Sequence, residues 1–340
     1  MTIKKLLIAN RGEIASRIIK SAHQMGIGTV AIYTDPDANS PYVREAKEAF
    51  KLDSSYLDAK KIIEIASNAN VDAIHPGYGF LSENSNFANL VSKSNIKWVG
   101  PSANAIKKMG DKLTAKKLSE KASVPTLPMT SDPKEAKKIG YPLLIKAAAG
   151  GGGKGMRIVK SQKDLKESIA SAQREAEGGF GDKRVFIERY IAKSRHIEIQ
   201  ILGDSYGNIV HLGERECSIQ RRHQKVVEES PSPVVDEELR NEMGAAAIKI
   251  ASLLKYESAG TVEFLFDEKT KEFWFLEVNT RLQVEHPVTE EVTGIDLVRE
   301  QLKIANGDPL DFSQEEIEWF GSSIEVRLYS EDPGNNFLPV

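Results

Sequence analysis

Two strand-like runs in the C-terminal half of the chain, 261–267 and 273–279, flank a charged loop of five residues, which predicts an antiparallel hairpin. Pairing centred on this loop places Glu263 directly opposite Glu277, and like charges at cross-strand positions destabilise a sheet. A divalent cation would offset the repulsion, because Mg²⁺ is held by carboxylates together with substrate phosphates. Asn279 lies on the same face as Glu277 and can add a neutral oxygen ligand. The hairpin therefore predicts a metal site on one sheet face; a solvent-facing polar surface is the alternative.

Polar side chains continue at every second position after the hairpin. If the chain stays extended, Arg281, Gln283 and Glu285 lie on the same face as Glu277. A guanidinium suits a small oxyanion, and a carboxylate beside that anion can act as a general base. For an isolated Glu285 a surface salt bridge is the better interpretation, but in this row the pattern favours catalysis.

The run GGGGKG at 150–155 lies between a predicted strand that ends at Lys146 and one that begins at Met156. Dense glycine lets backbone N–H groups approach an anion closely; a flexible hairpin is the alternative. The run is not a Walker A loop, because that motif requires glycine where the chain has Ala148, and serine or threonine where it has Gly155. A glycine loop between two strands, with a lysine just upstream, is similar to the lid of ATP-grasp enzymes.

The pattern of strands and helices divides the chain, as expected for 340 residues, a length beyond that of a single core. The first hundred residues alternate strands with helices, which predicts a doubly wound parallel sheet. Mostly antiparallel strands follow from His196 onward, so the predicted fold class is α/β and α+β. The similarity of the glycine loop to the ATP-grasp lid implies an ATP-grasp fold in two parts. The predicted domains are an N-terminal α/β domain (1–100), a helical linker (101–122), a lid domain (123–191) and a catalytic sheet domain (192–340) that we expect to be incomplete.

Composition narrows the class of protein. Apolar residues make up 40% of the chain, but no run approaches the roughly 20 residues of a membrane span. A net charge of −3 gives no electrostatic reason to expect nucleic acid. The single cysteine, Cys217, excludes an internal disulfide and is typical of a reducing cytoplasm. We therefore expect a cytoplasmic protein with no membrane or nucleic-acid partner.

Seven segments together resemble the motifs of biotin carboxylases, in the order found in that family, and the resemblance runs from Met1 to Val340. The most specific are RRHQKVVEE and NTRLQVEHPVTE, whereas GGGGKG alone would be weak. The segments are IANRGEIA (8–15), HPGYGFLSEN (75–84), MGDK (109–112), GGGGKGM (150–156), RHIEIQ (195–200), ERECSIQRRHQKVVEE (214–229) and EVNTRLQVEHPVTE (277–290).

The resemblance implies an enzyme that uses ATP and Mg²⁺ (or Mn²⁺) to carboxylate biotin with bicarbonate. It implies metal ligands at Glu263, Glu277 and Asn279, in agreement with the hairpin argument. The 75–84 segment carries no chemistry in the family that can be transferred, and we interpret it as structural. The residues implied to bind ATP are Lys112, Lys146, Gly151, Gly152, Gly153, Glu188, Ile191, His196, Gln220, Glu263, Leu265 and Glu277.

The resemblance also implies an anion and biotin site. Glu285 would be the general base for bicarbonate, and Arg327 would stabilise the biotin enolate. Lys225 and Arg281 complete the implied catalytic set. The residues implied to bind bicarbonate or biotin are Lys225, Arg281, Gln283, Val284, Glu285 and Arg327.

The implied partners are a biotin carboxyl carrier protein, a carboxyltransferase and, in the full-length form, a second copy of the chain. The final acceptor, which could be acetyl-CoA, propionyl-CoA, methylcrotonyl-CoA or pyruvate, is chosen by the carboxyltransferase and is not encoded here. Two alternatives remain: another ATP-grasp ligase of the carbamoyl phosphate synthetase type, and a nucleotide-binding fragment that is inactive because its last domain is incomplete.

Overall fold

The computed structural model describes residues 2–149 and 156–339. The first domain consists of β1 (Lys5–Ile8), α1 (Gly12–Gln24), β2 (Gly28–Tyr33), α2 (Pro41–Glu45), β3 (Glu48–Lys51), α3 (Ala59–Asn68), β4 (Ala73–His75), α4 (Ser85–Lys93) and β5 (Lys97–Trp98). Its parallel sheet has the order β3-β2-β1-β4-β5. Leu6 and Ile8 pack in one buried core and Leu7 in another, so both faces of the sheet are covered. The predicted doubly wound domain is therefore confirmed.

Two helices connect this domain to a small sheet. The elements are α5 (Ala103–Met109), α6 (Lys112–Lys121), β6 (Met129–Thr130), α7 (Ala136–Ile139), β7 (Leu143–Ala147), β8 (Arg157–Val159), α8 (Gln162–Phe180) and β9 (Val185–Arg189). The strands form an antiparallel sheet in the order β6-β9-β7-β8. The Asp111 carboxylate caps α6 by accepting a 2.8 Å hydrogen bond from the Thr114 N–H, which fixes Lys112 in the first turn of the helix.

The remaining residues form a larger antiparallel sheet with helices. The elements are β10 (Arg195–Gly203), β11 (Ile209–Arg221), β12 (Gln224–Ser230), α9 (Glu237–Leu254), β13 (Ser258–Phe266), β14 (Phe273–Asn279), α10 (His286–Thr293), α11 (Leu297–Asn306), β15 (Ser323–Val326), β16 (Glu331–Asp332) and β17 (Leu338–Pro339). The large sheet has the order β14-β13-β10-β11-β12-β15. Ile197 and Ile199 pack with Met243 of α9. Because side chains alternate between faces, His196 and Glu198 lie on the opposite face, away from this core.

The hairpin of β13 and β14 has the predicted register. Glu263 pairs with Glu277 and Thr261 with Asn279, and an irregularity follows Glu263. The extended chain ends at Asn279, however, so the assumption that it continues to Glu285 is wrong. Glu285 instead precedes the first residue of α10, because Pro287 occupies a position that favours the start of a helix.

Candidate active site

One cleft of about 800 Å³ lies where the three sheets and the linker helices meet. Every predicted site residue that the structure describes contributes to its wall; Gly151, Gly152 and Gly153 lie outside the described residues. The structure therefore brings together side chains from distant segments, while the role of each remains a prediction. The predicted residues in the wall are Lys112, Lys146, Glu188, Ile191, His196, Gln220, Lys225, Glu263, Leu265, Glu277, Asn279, Arg281, Gln283, Val284, Glu285 and Arg327.

The two opposed carboxylates of the hairpin each contact cationic groups. Lys112 Nζ lies 3.1 Å from the Glu277 carboxylate. Glu263 contacts Lys225 Nζ at 2.9 Å and His196 Nε2 at 2.9 Å. Burial favours a raised pKa for Glu263, but Lys225 and His196 outweigh it and hold the pKa well below its usual range. The repulsion between the two carboxylates is thus relieved by these side chains of the protein.

The same residues also suit a divalent cation. Glu263, Glu277 and Asn279 present carboxylate and amide groups to the cleft, and oxygen donors are the ligands that Mg²⁺ and Mn²⁺ prefer. The Asn279 amide donates a 2.7 Å hydrogen bond to Glu263, which fixes the relative position of these two side chains. The donor atoms of His196, Glu198 and Glu263 also lie within 4.8 Å of one another, a grouping that the sequence did not predict.

Glu285 lies between two cations and shares one of them, Lys225, with Glu263. Its carboxylate accepts a 2.7 Å hydrogen bond from Lys225 Nζ and a 2.9 Å hydrogen bond from Arg327 Nη2. Burial favours a raised pKa for Glu285, but the charges of Lys225, Arg215 and Arg327 outweigh it and lower the pKa to about 2. Glu285 is therefore ionised at neutral pH, as a general base must be.

A buried ion pair behind this site was missed by the sequence reasoning. The Arg215 guanidinium is inaccessible to solvent and donates a 2.6 Å hydrogen bond to Glu198, its partner across β10 and β11. Glu198 also contacts Lys225 Nζ. Arg215 donates further hydrogen bonds to Gln200 (2.8 Å), Thr289 (2.9 Å), Thr261 (3.1 Å) and Gln283 (2.6 Å). This network therefore orients both Lys225 and Gln283.

The segment 75–84, interpreted from the sequence as structural, also contributes Glu83 to the wall of the cleft. His75 is fully buried and contacts Gln301 at 3.2 Å, as a structural residue does. Glu83, however, lines the cleft and accepts a 3.2 Å hydrogen bond from Arg281 Nε. Arg281 Nη2 also donates to Asn279 at 3.0 Å, so Glu83 fixes the guanidinium from the N-terminal domain.

Another part of the cleft wall combines apolar side chains with lysines. Ile191 and Leu265 line the wall there together with Lys146, whose Nζ donates a 2.5 Å hydrogen bond to Glu188. The His196 ring also contacts Gln220 at 3.2 Å. An apolar wall beside ammonium groups suits a nucleotide, because its base is flat and largely apolar and its phosphates are anionic.

The depressed pKa of Glu285 predicts an acid-sensitive contribution to stability. Its pKa falls from 4.5 to about 2 in the folded protein, so the stabilisation is present above pH 4.5 and is lost as pH falls towards 2. We expect the difference in unfolding free energy between the wild type and Glu285→Gln to shrink by about 2 kcal/mol between pH 6 and pH 3. Urea unfolding at pH 6, 5, 4 and 3 measures it, and a difference that does not change with pH contradicts the assignment.

Family models match both parts of the chain. Residues 2–106 match the biotin carboxylase N-terminal domain. Residues 107–313 match the ATP-binding domain of the carbamoyl-phosphate synthase L chain.

None of the helices in the described part of the chain has the length and apolar character needed to span a membrane.

Curated relatives match the chain over almost its whole length. Bacillus subtilis biotin carboxylase 1 is 50% identical, over 99% of this chain and 78% of the relative. The propionyl-CoA carboxylase alpha chain of Ruegeria pomeroyi is 51% identical, over 98% of this chain but only 51% of the relative. The chain thus spans about half of the longer carboxylase subunits.

Solved structures have the same fold. A Campylobacter jejuni biotin carboxylase–β,γ-ATP complex superposes with a TM-score of 0.95 at 48% identity, covering 99% of this chain and 78% of that one. The biotin carboxylase domain dimer of Hydrogenobacter thermophilus 2-oxoglutarate carboxylase, in complex with MgADP, ADP and bicarbonate, gives a TM-score of 0.96 at 46% identity. That match covers 100% of this chain and 77% of the other.

The parallel N-terminal domain, the lid sheet and the large antiparallel sheet around one cleft define an ATP-dependent ligase with the ATP-grasp fold. The chain belongs to the biotin carboxylase family.

Proposed function

We propose that this chain catalyses the first half-reaction of a biotin-dependent carboxylase, the ATP-driven carboxylation of carrier-bound biotin with bicarbonate. The observation that carries the proposal is the position of the Glu285 carboxylate between Lys225 and Arg327, in the same cleft as Lys112 and Lys146. A base for bicarbonate and cations for phosphates therefore share one cleft.

The nucleotide is proposed to occupy the end of the cleft lined by Ile191 and Leu265. Glu188 and Ile191 would bind the adenine, and His196 and Gln220 would lie near the ribose and phosphates. The ammonium groups of Lys112 and Lys146 would neutralise phosphate charge, which is the main requirement of phosphoryl transfer. The glycines at 151, 152 and 153 are proposed to close over the phosphates.

Mg²⁺ or Mn²⁺ would be held by Glu263, Glu277 and Asn279. When bound, the cation supplies positive charge beside the phosphoryl group that is transferred. The role of this chain is to hold the donor oxygens in the cleft wall, where the Asn279 amide and Lys225 keep Glu263 in position.

Removal of one carboxylate should raise the metal requirement. Loss of an outer-shell partner alone reduces metal affinity by about 10–100-fold, so Glu263→Gln and Glu277→Gln are expected to raise the Mg²⁺ concentration for half-maximal ADP release by at least about tenfold. Glu272→Gln, in the exposed loop of the same hairpin, is the matched control and should leave it unchanged. Unchanged Mg²⁺ dependence in both site variants contradicts the ligand assignment.

The chemistry begins with bicarbonate beside Arg281, Gln283 and Val284. Glu285 takes the bicarbonate proton, and the bicarbonate oxygen attacks the γ-phosphorus of ATP, so that ADP leaves and carboxyphosphate forms. Carboxyphosphate breaks into CO₂ and phosphate, and the phosphate takes the N1 proton of biotin. The resulting enolate attacks CO₂, and Arg327 stabilises its oxygen. Because carboxyphosphate reacts with water, an enclosed cleft is required.

Partners and location are part of the proposal. Relatives named as propionyl-CoA, methylcrotonoyl-CoA and pyruvate carboxylase subunits support a biotin carrier and a carboxyltransferase as partners. A dimer in one structural relative supports a second copy of the chain as a partner. The single cysteine supports a reducing, cytoplasmic location.

ADP release by the chain with ATP and Mg²⁺, with and without bicarbonate, biotin or ammonia, tests the proposal. We expect turnover that requires bicarbonate and is stimulated by biotin. Stimulation by ammonia but not by biotin would move the assignment to the carbamoyl phosphate reaction, which the family match at 107–313 also accommodates. ATP binding without turnover would indicate a nucleotide-binding fragment.

A further inference from the structure

Two lysines share one buried carboxylate at the nucleotide end of the cleft. Lys146 Nζ lies 2.5 Å from the Glu188 carboxylate, and Lys116 forms an ion pair with its other oxygen. The side chains of Lys116, Lys146 and Glu188 are 2%, 6% and 1% exposed, so no solvent screens these charges. The cluster therefore places two lysines on one carboxylate, and burial lowers the pKa of Lys146 to about 7 and the pKa of Lys116 to about 8.

Lys116 reaches Glu188 from behind the cleft wall. It lies four residues after Lys112 on α6, so both lysines project from one face of the helix. Lys112 lines the cleft, whereas Lys116 packs within 5.8 Å of the Phe186 ring centroid. Lys116 thus contacts a residue of the site without facing the space that a ligand would occupy.

The position of Lys146 conflicts with its proposed role. In the structure its ammonium group is bound to Glu188, yet the proposed function requires it at the nucleotide phosphates. A buried carboxylate that loses its only counter-ion is strongly destabilised, so a lone Glu188–Lys146 pair would resist separation. With Lys116 in place, Glu188 keeps a cation when Lys146 leaves.

We propose that Lys116 is a positioning residue that compensates the charge of Glu188 and so releases Lys146 to the nucleotide phosphates. The inference rests on the proposed nucleotide site and assigns a role to a residue that touches no substrate. Lys116 acts on nucleotide affinity and leaves the bicarbonate end of the cleft unaffected.

Lys116→Met tests the inference, with Lys117→Met as the matched control, because Lys117 is the exposed next residue on the same helix. Calorimetric titration with MgADP should show at least about tenfold weaker binding for Lys116→Met, equivalent to about 1.4 kcal/mol. The KM for ATP should rise in parallel while the KM for bicarbonate stays within about twofold. Lys117→Met should bind MgADP like the wild type, and Lys116→Arg, which keeps the charge, should restore most of the affinity.

Two further variants separate charge compensation from packing. Lys116→Gln can still donate a hydrogen bond to Glu188 but has no charge, so it should show the same weakening even if Lys116→Met does not fold. In a Glu188→Gln background no charge needs compensation, and Lys116→Gln should then change MgADP affinity by less than about twofold.

Some results would overturn the inference. MgADP affinity that is unchanged in Lys116→Gln, or equally weakened in Lys116→Arg, would show that the charge of Lys116 is not used. A loss that persists in the Glu188→Gln background would do the same. If the wild type itself does not bind MgADP, the proposed function is overturned together with the inference. If the wild type binds MgADP and only the Lys116 variants depart from expectation, the inference alone fails.

Discussion

Glu285→Gln is expected to lower bicarbonate-dependent ADP release by about 10²–10⁴-fold, the usual contribution of a general base. An amide cannot accept the bicarbonate proton. The substitution also removes the negative charge that Lys225 contacts at 2.7 Å and Arg327 contacts at 2.9 Å. The KM for ATP should change little, because the nucleotide end of the cleft is built from other residues. Steady-state kinetics with varied ATP and bicarbonate measure both effects.

Glu291→Gln is the matched control for this prediction. Glu291 lies on α10, the helix that follows Glu285, and its side chain is exposed. We expect wild-type turnover from this variant. If Glu285→Gln keeps more than about a tenth of wild-type turnover, the assignment of Glu285 as general base is contradicted.

Arg215→Met is expected to reduce the free energy of unfolding by about 3–5 kcal/mol, because breaking a buried ion pair leaves an uncompensated charge. Arg215 donates to Glu198 at 2.6 Å and to Gln283 at 2.6 Å, and both acceptors are buried. Methionine fills similar space but donates no hydrogen bond. Urea unfolding at pH 7, followed by circular dichroism, measures the change.

The control for the second prediction is Arg174→Met on α8. Arg174 is exposed on a helix, and surface substitutions usually change stability by less than about 0.5 kcal/mol. A loss below about 1 kcal/mol in Arg215→Met would contradict the central role of the buried network. A large loss in Arg174→Met would show that the measurement does not separate buried from exposed charges.

Local patterns in the sequence predict much of the fold and of the site. Two strands with alternating side chains and a short loop determine a hairpin register, so Glu263 and Glu277 are found opposite each other as predicted. The doubly wound sheet follows from alternating strands and helices in the same way. The hairpin register depends only on neighbours that are close along the chain, and the sheet class depends on the order of elements, although β1 pairs with the distant β4.

The parts that the sequence reasoning missed depend on distant contacts. Glu198 shares the parity of His196, which could have placed it on the site face, but its pairing with Arg215 depends on how β11 aligns with β10. Glu83 meets Arg281 across 198 residues, through the packing of two domains. No local pattern specifies such contacts.

Helix α9 (Glu237–Leu254) was also missed, although local signals were present. Asp236 caps it by accepting from the Leu239 N–H at 2.9 Å, and acidic residues fill the first turn, both of which are helix-start signals. This helix covers the apolar face of the large sheet, so the opposite face is left to carry the charged residues of the cleft.

The most direct test of the central claim is transfer of ¹⁴C from bicarbonate to free biotin by this chain in the presence of ATP and Mg²⁺. The account predicts acid-labile ¹⁴C-carboxybiotin that forms only when ATP is present. ATP hydrolysis that depends on bicarbonate but places no label on biotin would contradict it.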